Sequence, residues 1–252
     1  MTTNTERFWN ANFDELKLGY SKHDHTFTCL LCGTQTEQGV IYALHDNFYD
    51  AEKFMRIHIE TAHQSVFDYL ISLDKKMTGL TEHQNSLLRL FYQGKNDAQI
   101  QMEMDIGSAS TIRNHRFVLK EKERQAKVFL AMMELLKEKD QHAPEIINYH
   151  QTATMIDDRY NMTQDEADKV LKKYFPDGPD GPLLNFTMKE KYKIVILTHI
   201  AKLFQHGQLY TEKEVNAVLK NLFDDYVTLR RYLIEYGFLD RKDDCSQYWV
   251  KN

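Results

Sequence analysis

Apolar side chains recur at helical spacing along most of this chain, whereas the alternating runs typical of strands are short. Thr81, Thr163 and Thr211 each precede a glutamine or glutamate by three positions. Such a pair forms a capping box, in which the hydroxyl accepts a backbone N–H and the later side chain reaches back to the cap. Short strands are expected only near residues 27–28 and 39–44. The pattern predicts a mainly α-helical protein with small β-hairpins.

Polar stretches and turn-forming residues divide the chain into regions. A length of 252 residues is enough for two or three small domains, each with a modest core. We predict a lead-in at 1–22, a ββα module at 23–77 with its helix starting near Ala51, a helical module at 78–140, a linker at 141–161 and a C-terminal domain at 162–252.

The C-terminal domain shows several periodic segments separated by turns. The run from Phe175 to Pro182 holds three prolines and two glycines, and it separates a first helix from those that follow. Three helices followed by a hairpin is the element order of a winged helix. The predicted helices span 164–174, 189–205, 212–223 and 226–236, and the predicted strands lie at 238–241 and 248–250.

The helical module begins with the Thr81 capping box and a run of leucines at helical spacing. Gly94 ends that helix, and Asp97 is the predicted cap of a short second helix. A tight turn at Gly107 follows, and a third helix starts at Ser108 or Ser110. No helix-breaking residue occurs from there to residue 139, so this last helix is expected to span about 48 Å. Two short helices, a turn with glycine and a third helix form the layout of a helix-turn-helix.

Four segments of this module match a known pattern. They resemble the LuxR/GerE type of bacterial DNA-binding domain over about 45 residues: Leu80-Thr-Glu, Phe91-Tyr-Gln-Gly-Lys-Asn-Asp-Ala-Gln-Ile, Ile106-Gly-Ser and Ser110-Thr-Ile-Arg-Asn-His. The resemblance implies that the 108–122 helix reads DNA and that the last helix contributes to a dimer. His83 stands where that family usually has arginine, so base preference is left open.

Charge supports contact with DNA. The whole chain has a net charge of −5, which argues against indiscriminate coating of nucleic acid. Residues 108–127 nevertheless hold six basic and two acidic side chains. Ile112, Leu119 and Phe117 are expected to face inward, although many such charged helices are merely solvated. The expected DNA-binding residues are Ser108, Ser110, Thr111, Arg113, Asn114, Arg116 and Lys120.

Two ligand pairs near the N-terminus indicate a metal site. Cys29 and Cys32 form a CxxC pair, and His58 and His63 follow on a predicted helix. Two thiolates and two imidazoles suit tetrahedral zinc, and four protein ligands leave no position for substrate. The sequence predicts a zinc-finger-like ββα module with a structural Zn²⁺. The alternative is a redox CxxC with incidental histidines.

The spacing of these ligands is unusual. The two pairs are separated by 25 residues, about twice the spacing of an ordinary ββα finger. A longer hairpin between 34 and 50 is expected to hold the extra length. His63 follows His58 by five positions, a rotation of about 500°, so His63 is expected where the helix ends. His23, His25 and His45 are the other histidines near the pair.

The remaining residues favour a binding protein over an enzyme. The sequence has no phosphate-binding loop, dinucleotide fingerprint, nucleophile elbow or zinc-protease motif. It also lacks an apolar run long enough to cross a membrane, and its three cysteines fit a reducing cytoplasm. Apolar residues at 128–136 form a stripe that either packs on its own chain or forms a homodimer, and we favour the homodimer. The segments from Tyr210 to Asn216 and from Gly237 to Arg241 resemble a bacterial domain of unknown function often appended to transcription regulators.

We therefore expect a cytoplasmic transcription regulator that binds double-stranded DNA as a homodimer. Its C-terminal domain is expected to sense a small-molecule or protein effector, or to add contacts. The main alternative is a protein-interaction adaptor that uses the metal module and the apolar helix face. RNA binding through the C-terminal domain is a third interpretation.

Overall fold

The computed structural model describes residues 4–251, and these form two compact units. The described parts of Met1–Asp74 and Glu145–Asn252 make up the first unit, and Lys75–Pro144 make up the second. Helices predominate, and the sheets within the described range are small and antiparallel. The predicted mainly helical class with small hairpins is confirmed.

The N-terminal part of the first unit surrounds a three-stranded sheet. Strands β1, β2 and β3 pair antiparallel in that order, and a separate hairpin of β4 and β5 precedes the long helix. The elements are α1 (Asn4–Asn10), α2 (Phe13–Leu18), β1 (Tyr20–His23), β2 (Thr26–Cys29), β3 (Gln35–Glu37), β4 (Tyr42–Leu44), β5 (Asn47–Tyr49), α3 (Ala51–His63) and α4 (Val66–Ser72).

The N-terminal residues are part of this core, although the sequence predicts them as a lead-in. Phe8 and Tyr20 are both buried, and Tyr20 pairs with Cys29 across β1 and β2. The extra ligand spacing is accommodated by the added hairpin of β4 and β5 rather than by one longer hairpin. A four-residue strand that pairs across a short turn leaves little periodicity in the sequence, which is why β1 is missed.

The C-terminal part of the first unit follows the predicted element order. A short 3₁₀ turn (Asp158–Tyr160) precedes the first helix, and an isolated bridge joins Tyr210 to Tyr248. Helices α10 and α11 end three or four residues before their predicted ends, because buried Phe204 and Leu222 continue the apolar period beyond the last helical turn. The elements are α9 (Gln164–Tyr174), α10 (Glu190–Ala201), α11 (Glu212–Lys220), α12 (Tyr226–Glu235), β6 (Leu239–Arg241) and β7 (Tyr248–Val250).

Residues 145–161 of the predicted linker belong to the first unit, and some of them are buried in it. Gln151 and Ala153 are buried, and the Gln151 amide donates to the Leu30 carbonyl at 3.1 Å. The Trp9 indole N–H donates to the Tyr149 carbonyl at 2.9 Å. These polar groups satisfy buried backbone acceptors, so their polarity does not indicate exposure. The segment connects the N-terminal and C-terminal parts of the unit.

His150 in this segment is held as a neutral imidazole. Its Nε2 donates to the Tyr236 carbonyl at 3.0 Å, which leaves Nδ1 to accept from the Tyr160 hydroxyl at 3.3 Å. The ring stacks on Phe238 with centroids 3.9 Å apart. Desolvation by burial lowers the pKa of His150 to about 4, because the protonated ring loses its hydration.

We expect His150 to make the first unit sensitive to acid. Its folded pKa lies below the unfolded value of about 6.5, so its contribution is complete above pH 6.5 and is lost as the pH falls toward 4. The loss is on the order of 2–3 kcal/mol. Urea unfolding of wild type and His150→Gln between pH 7.5 and 4.5 measures it. The variant should show a shallower pH slope, His45→Ala should keep the wild-type slope, and equal slopes in all three would contradict the assignment.

The second unit is a helical module. Leu87, Leu90, Ile100, Ile106 and Ile112 form its buried core. Helix α7 is capped by Asn96 rather than by Asp97, because the Asn96 side chain accepts the Gln99 N–H and completes a capping box. The elements are α5 (Lys75–Thr78), α6 (Glu82–Tyr92), α7 (Asp97–Glu103) and α8 (Ala109–Lys139).

Helix α8 is continuous over 31 residues, as expected from the absence of a breaker, and is about 46 Å long. Ser108 is its N-cap and accepts the Thr111 N–H. Ile112 is buried as predicted, whereas Phe117 is 60% exposed and the prediction that it faces inward is wrong. Phe117 lies five positions after Ile112, which is about 140° around the helix from the core face.

Candidate metal centre and nucleic-acid interface

The two cysteines lie at the end of β2 and in the tight turn that follows it. The Cys29 N–H donates to the Thr34 carbonyl, and the Gly33 N–H donates to the Cys29 carbonyl, each at 2.8 Å. Gly33 has a φ of +82°, a conformation that side chains with a Cβ rarely adopt. This turn brings the two sulfur atoms within 4.8 Å of each other, and both cysteines are buried.

Both histidines belong to α3, and each has its Nε2 atom nearest to a cysteine sulfur. Asp50 caps the start of this helix, and buried Met55 and Ile59 attach it to the core. His58 lies within the helix, and His63 is its last residue, as its five-residue offset predicts. The ring of Tyr69 packs edge-on against His63 with centroids 5.9 Å apart.

The four side chains lie close enough to bind one metal ion. The Cys32 Sγ lies 3.2 Å from the His58 Nε2, and the Cys29 Sγ lies 3.7 Å from the His63 Nε2. All four ligand atoms lie within 4.8 Å of one another. Bond lengths of about 2.3 Å to sulfur and 2.0–2.1 Å to nitrogen place tetrahedral S and N ligands about 3.6 Å apart. The observed distances fit that geometry, so the cluster is compatible with zinc.

The chemical environment also favours a cation. The pKa of Cys32 lies far below its ordinary value, because it accepts a hydrogen bond from Cys29 and further ones from the two imidazoles. The pKa of Cys29 is raised because its thiol donates that hydrogen bond to Cys32 and because the thiol is buried. The Thr34 hydroxyl lies 3.2 Å from the Cys32 sulfur, a contact that the sequence does not indicate. A metal ion bound here would hold both sulfurs as thiolates, so binding would release protons.

The predicted DNA-binding residues lie on the first turns of α8 and differ in their partners. Arg113 and Asn114 are exposed and make no hydrogen bond or ion pair among the described residues. Ser108 contacts both Ser110 and Thr111 through its hydroxyl at 2.8 and 3.0 Å. These hydroxyl groups lie at the N-cap of α8, and the exposed Arg113 and Asn114 side chains lie about one turn further along the helix.

Arg116 is held within its own unit. Its guanidinium donates to the Asp97 carboxylate at 2.9 and 3.2 Å and stacks over the Phe91 ring at 3.8 Å. Lys120 pairs with Glu123 at 2.7 Å, but both side chains are about two-thirds exposed. Such an exposed pair is worth little and exchanges readily for another anion. Arg116 therefore joins α8 to α6 and α7, whereas Lys120 is available to solvent.

The C-terminal half of α8 is apolar and exposed. From residue 122 onward every position is exposed, including large hydrophobic side chains with exposed fractions of 37–62%. We call this surface the apolar stripe; it comprises Val128, Phe129, Leu130, Met132, Met133, Leu135 and Leu136.

Two basic side chains of the C-terminal part are paired within the fold. Arg230 binds Glu212 at 2.7 Å and the Asn216 amide oxygen. Lys193 is buried and binds Glu190 at 2.6 Å, with the Tyr232 hydroxyl 3.1 Å away. These groups stabilise the fold and do not form an open anion site.

The C-terminal region is similar to a family described as "Uncharacterized protein conserved in bacteria (DUF2087)", which matches residues 182–250. This match confirms the expected resemblance to a bacterial domain of unknown function. No curated protein and no solved structure matches the chain. No helix in the described range has the length and apolar character needed to cross a bilayer. The resemblance of residues 80–115 to LuxR/GerE domains stays a prediction.

Proposed function

We propose that this protein is a transcription regulator that binds the DNA major groove through the N-terminal half of α8. The observation that carries the proposal is the placement of Arg113 and Asn114, exposed side by side on a helix that follows α6, α7 and a short turn. Arginine reads guanine and asparagine reads adenine through paired hydrogen bonds. Selection of bound duplexes from a random pool tests the proposal. A reproducible motif is expected, and a pool without enrichment contradicts it.

Zinc has a structural role in this proposal. Cys29 and Cys32 are buried, and the four ligands would fill a tetrahedral shell without leaving a position for substrate. Helix α3 carries two acidic residues, Glu52 and Glu60, besides Lys53 and Arg56, so it does not present a basic surface to DNA. The metal module is therefore proposed to stabilise the first unit.

The C-terminal domain is proposed to adopt a winged-helix arrangement. Helix α10, the bridge from Tyr210, helices α11 and α12 and the β6–β7 hairpin follow one another in that order. The bridge pairs Tyr210 with Tyr248 in the last strand, as the first strand of a winged helix does. Because Arg230 is paired with Glu212, a role in sensing an effector is favoured over phosphate contact.

A second copy of this chain is the proposed partner of the apolar stripe. Its seven side chains expose roughly 100 Å² each, on the order of 700 Å² per copy, close to one side of a standard interface. Exposed apolar patches of that size mark interaction sites. Glu134 lies within the stripe and pairs with Lys137 on the same helix at 2.7 Å, so this charge needs no oppositely charged partner. A two-fold dimer would present two copies of the reading helix.

Introducing charge into the apolar stripe is expected to produce a monomer. Met132→Glu together with Leu135→Glu would bury four carboxylates in the two-fold interface, which costs several kcal/mol. Sedimentation equilibrium of wild type and variant measures the mass. Lys127→Glu, which changes charge beside the stripe, is the control and should stay dimeric. A wild-type protein that is monomeric at micromolar concentration would contradict the dimer.

The adaptor function is the second candidate, and the same apolar stripe favours it. If the apolar stripe binds a different protein, purified wild type should be monomeric. The stripe should then bind that protein instead of a second copy of this chain. Loss of the partner in the stripe variant, combined with no enriched DNA motif, would support the adaptor over the regulator.

A further inference from the structure

A pair of histidines lies in the helical module, which is a different unit from the one that contains the Cys2His2 cluster. His83 is on the first turn of α6, and His115 is on the second turn of α8. Their Nε2 atoms are 3.3 Å apart, and the ring centroids are 4.8 Å apart. His83 is exposed and His115 is partly exposed. His83 also lines an open groove of about 530 Å³, so ions in solution have access to it.

The distance between these nitrogens fits a shared ion. Two nitrogens that each lie 2.0–2.1 Å from one zinc ion at the tetrahedral angle are separated by about 3.3–3.4 Å. A direct hydrogen bond between the two neutral imidazoles is the simpler explanation of a 3.3 Å separation. A shared ion fits the same separation, and metal titration distinguishes the two.

We propose that His83 and His115 bind a divalent transition-metal ion of the zinc type at an exposed site that joins α6 to α8. Imidazole is a ligand that suits zinc, copper and nickel. Among residues 4–251, no third histidine, cysteine or carboxylate comes close enough to complete a three-residue cluster there. Two coordination positions therefore stay open to water or to an anionic oxygen. The site would fix the reading helix to α6 independently of Ile112 and Arg116.

Calorimetric titration of zinc-loaded protein with Zn²⁺ at pH 7.5 tests the proposal. Wild type is expected to bind one further equivalent, more weakly than the first. His83→Ala and His115→Ala should each abolish that equivalent, because one imidazole alone is a poor ligand set. Both variants should keep the first equivalent and the wild-type far-ultraviolet circular dichroism.

His142→Ala is the matched control, since His142 is an exposed histidine of the same unit outside the pair. It should bind the second equivalent like wild type. The double variant should behave like either single variant, because both histidines serve one ion. A wild type that takes up no second equivalent would overturn the proposal, as would single variants that retain it. These outcomes do not depend on DNA, so they leave the proposed regulator function untouched.

Discussion

Cys29→Ser is expected to give a protein without tightly bound metal and with the N-terminal core unfolded. Structural zinc contributes an apparent 10–16 kcal/mol in small modules, while whole domains have net stabilities of about 5–15 kcal/mol. The core around this cluster is small, and buried Leu30 and Leu31 lie between the two sulfur ligands. Because a bound ion would join the cysteines at the end of β2 to the histidines of α3, losing one ligand should weaken the packing of α3 on this core.

Metal content and near-ultraviolet circular dichroism measure this effect. Wild type should contain one equivalent of zinc after dialysis, and chelation should reproduce the spectrum of Cys29→Ser. Cys245→Ser removes a thiol outside the cluster, and His45→Ala removes a nearby histidine; both should keep the metal and the fold. A wild type that is folded without zinc would instead favour the redox interpretation of the CxxC pair.

The ligand set of this site follows from the sequence because the information is local. Each pair is set by one turn or one helix, and the five-residue offset of His63 is satisfied by ending α3 at that residue. The helix starts are predictable for the same reason. Thr81, Thr163 and Thr211 each cap a helix with the predicted capping box.

Long-range packing explains the features that the sequence does not reveal. The burial of Tyr20 depends on the pairing of β1 with β2, and the burial of Gln151 depends on a carbonyl group far away in the chain, that of Leu30. Polar composition predicts exposure only where the polar groups face water. Gln151 instead satisfies a backbone acceptor inside the unit.

The charge count of α8 is correct, but it does not distinguish free charges from paired ones. Arg116 contributes to the positive total, yet it binds Asp97 and stacks on Phe91. Its pairing depends on the angle between α7 and α8, which periodicity does not encode. A test of DNA binding should therefore leave Arg116 in place, because its removal would loosen the module as well as change its charge.

Arg113→Ala and Asn114→Ala are expected to weaken binding to the selected DNA site. Each bidentate contact to a base is worth about 1–3 kcal/mol, so each variant should lose roughly 5-fold to 150-fold in affinity. Binding to random duplex should change less, so the ratio of specific to random affinity falls. Fluorescence anisotropy with both duplexes, at several salt concentrations, measures the two effects.

Lys120→Ala separates phosphate contact from base reading. If its ammonium exchanges Glu123 for a phosphate, affinity should fall for every sequence and the salt slope should decrease by about one. Lys137→Ala removes a cation from the far end of the same helix, where it pairs with Glu134, and should leave affinity unchanged. Full affinity in both Arg113→Ala and Asn114→Ala would show that the first turns of α8 do not enter the groove. Equal losses in Lys120→Ala and Lys137→Ala would indicate a general charge effect instead.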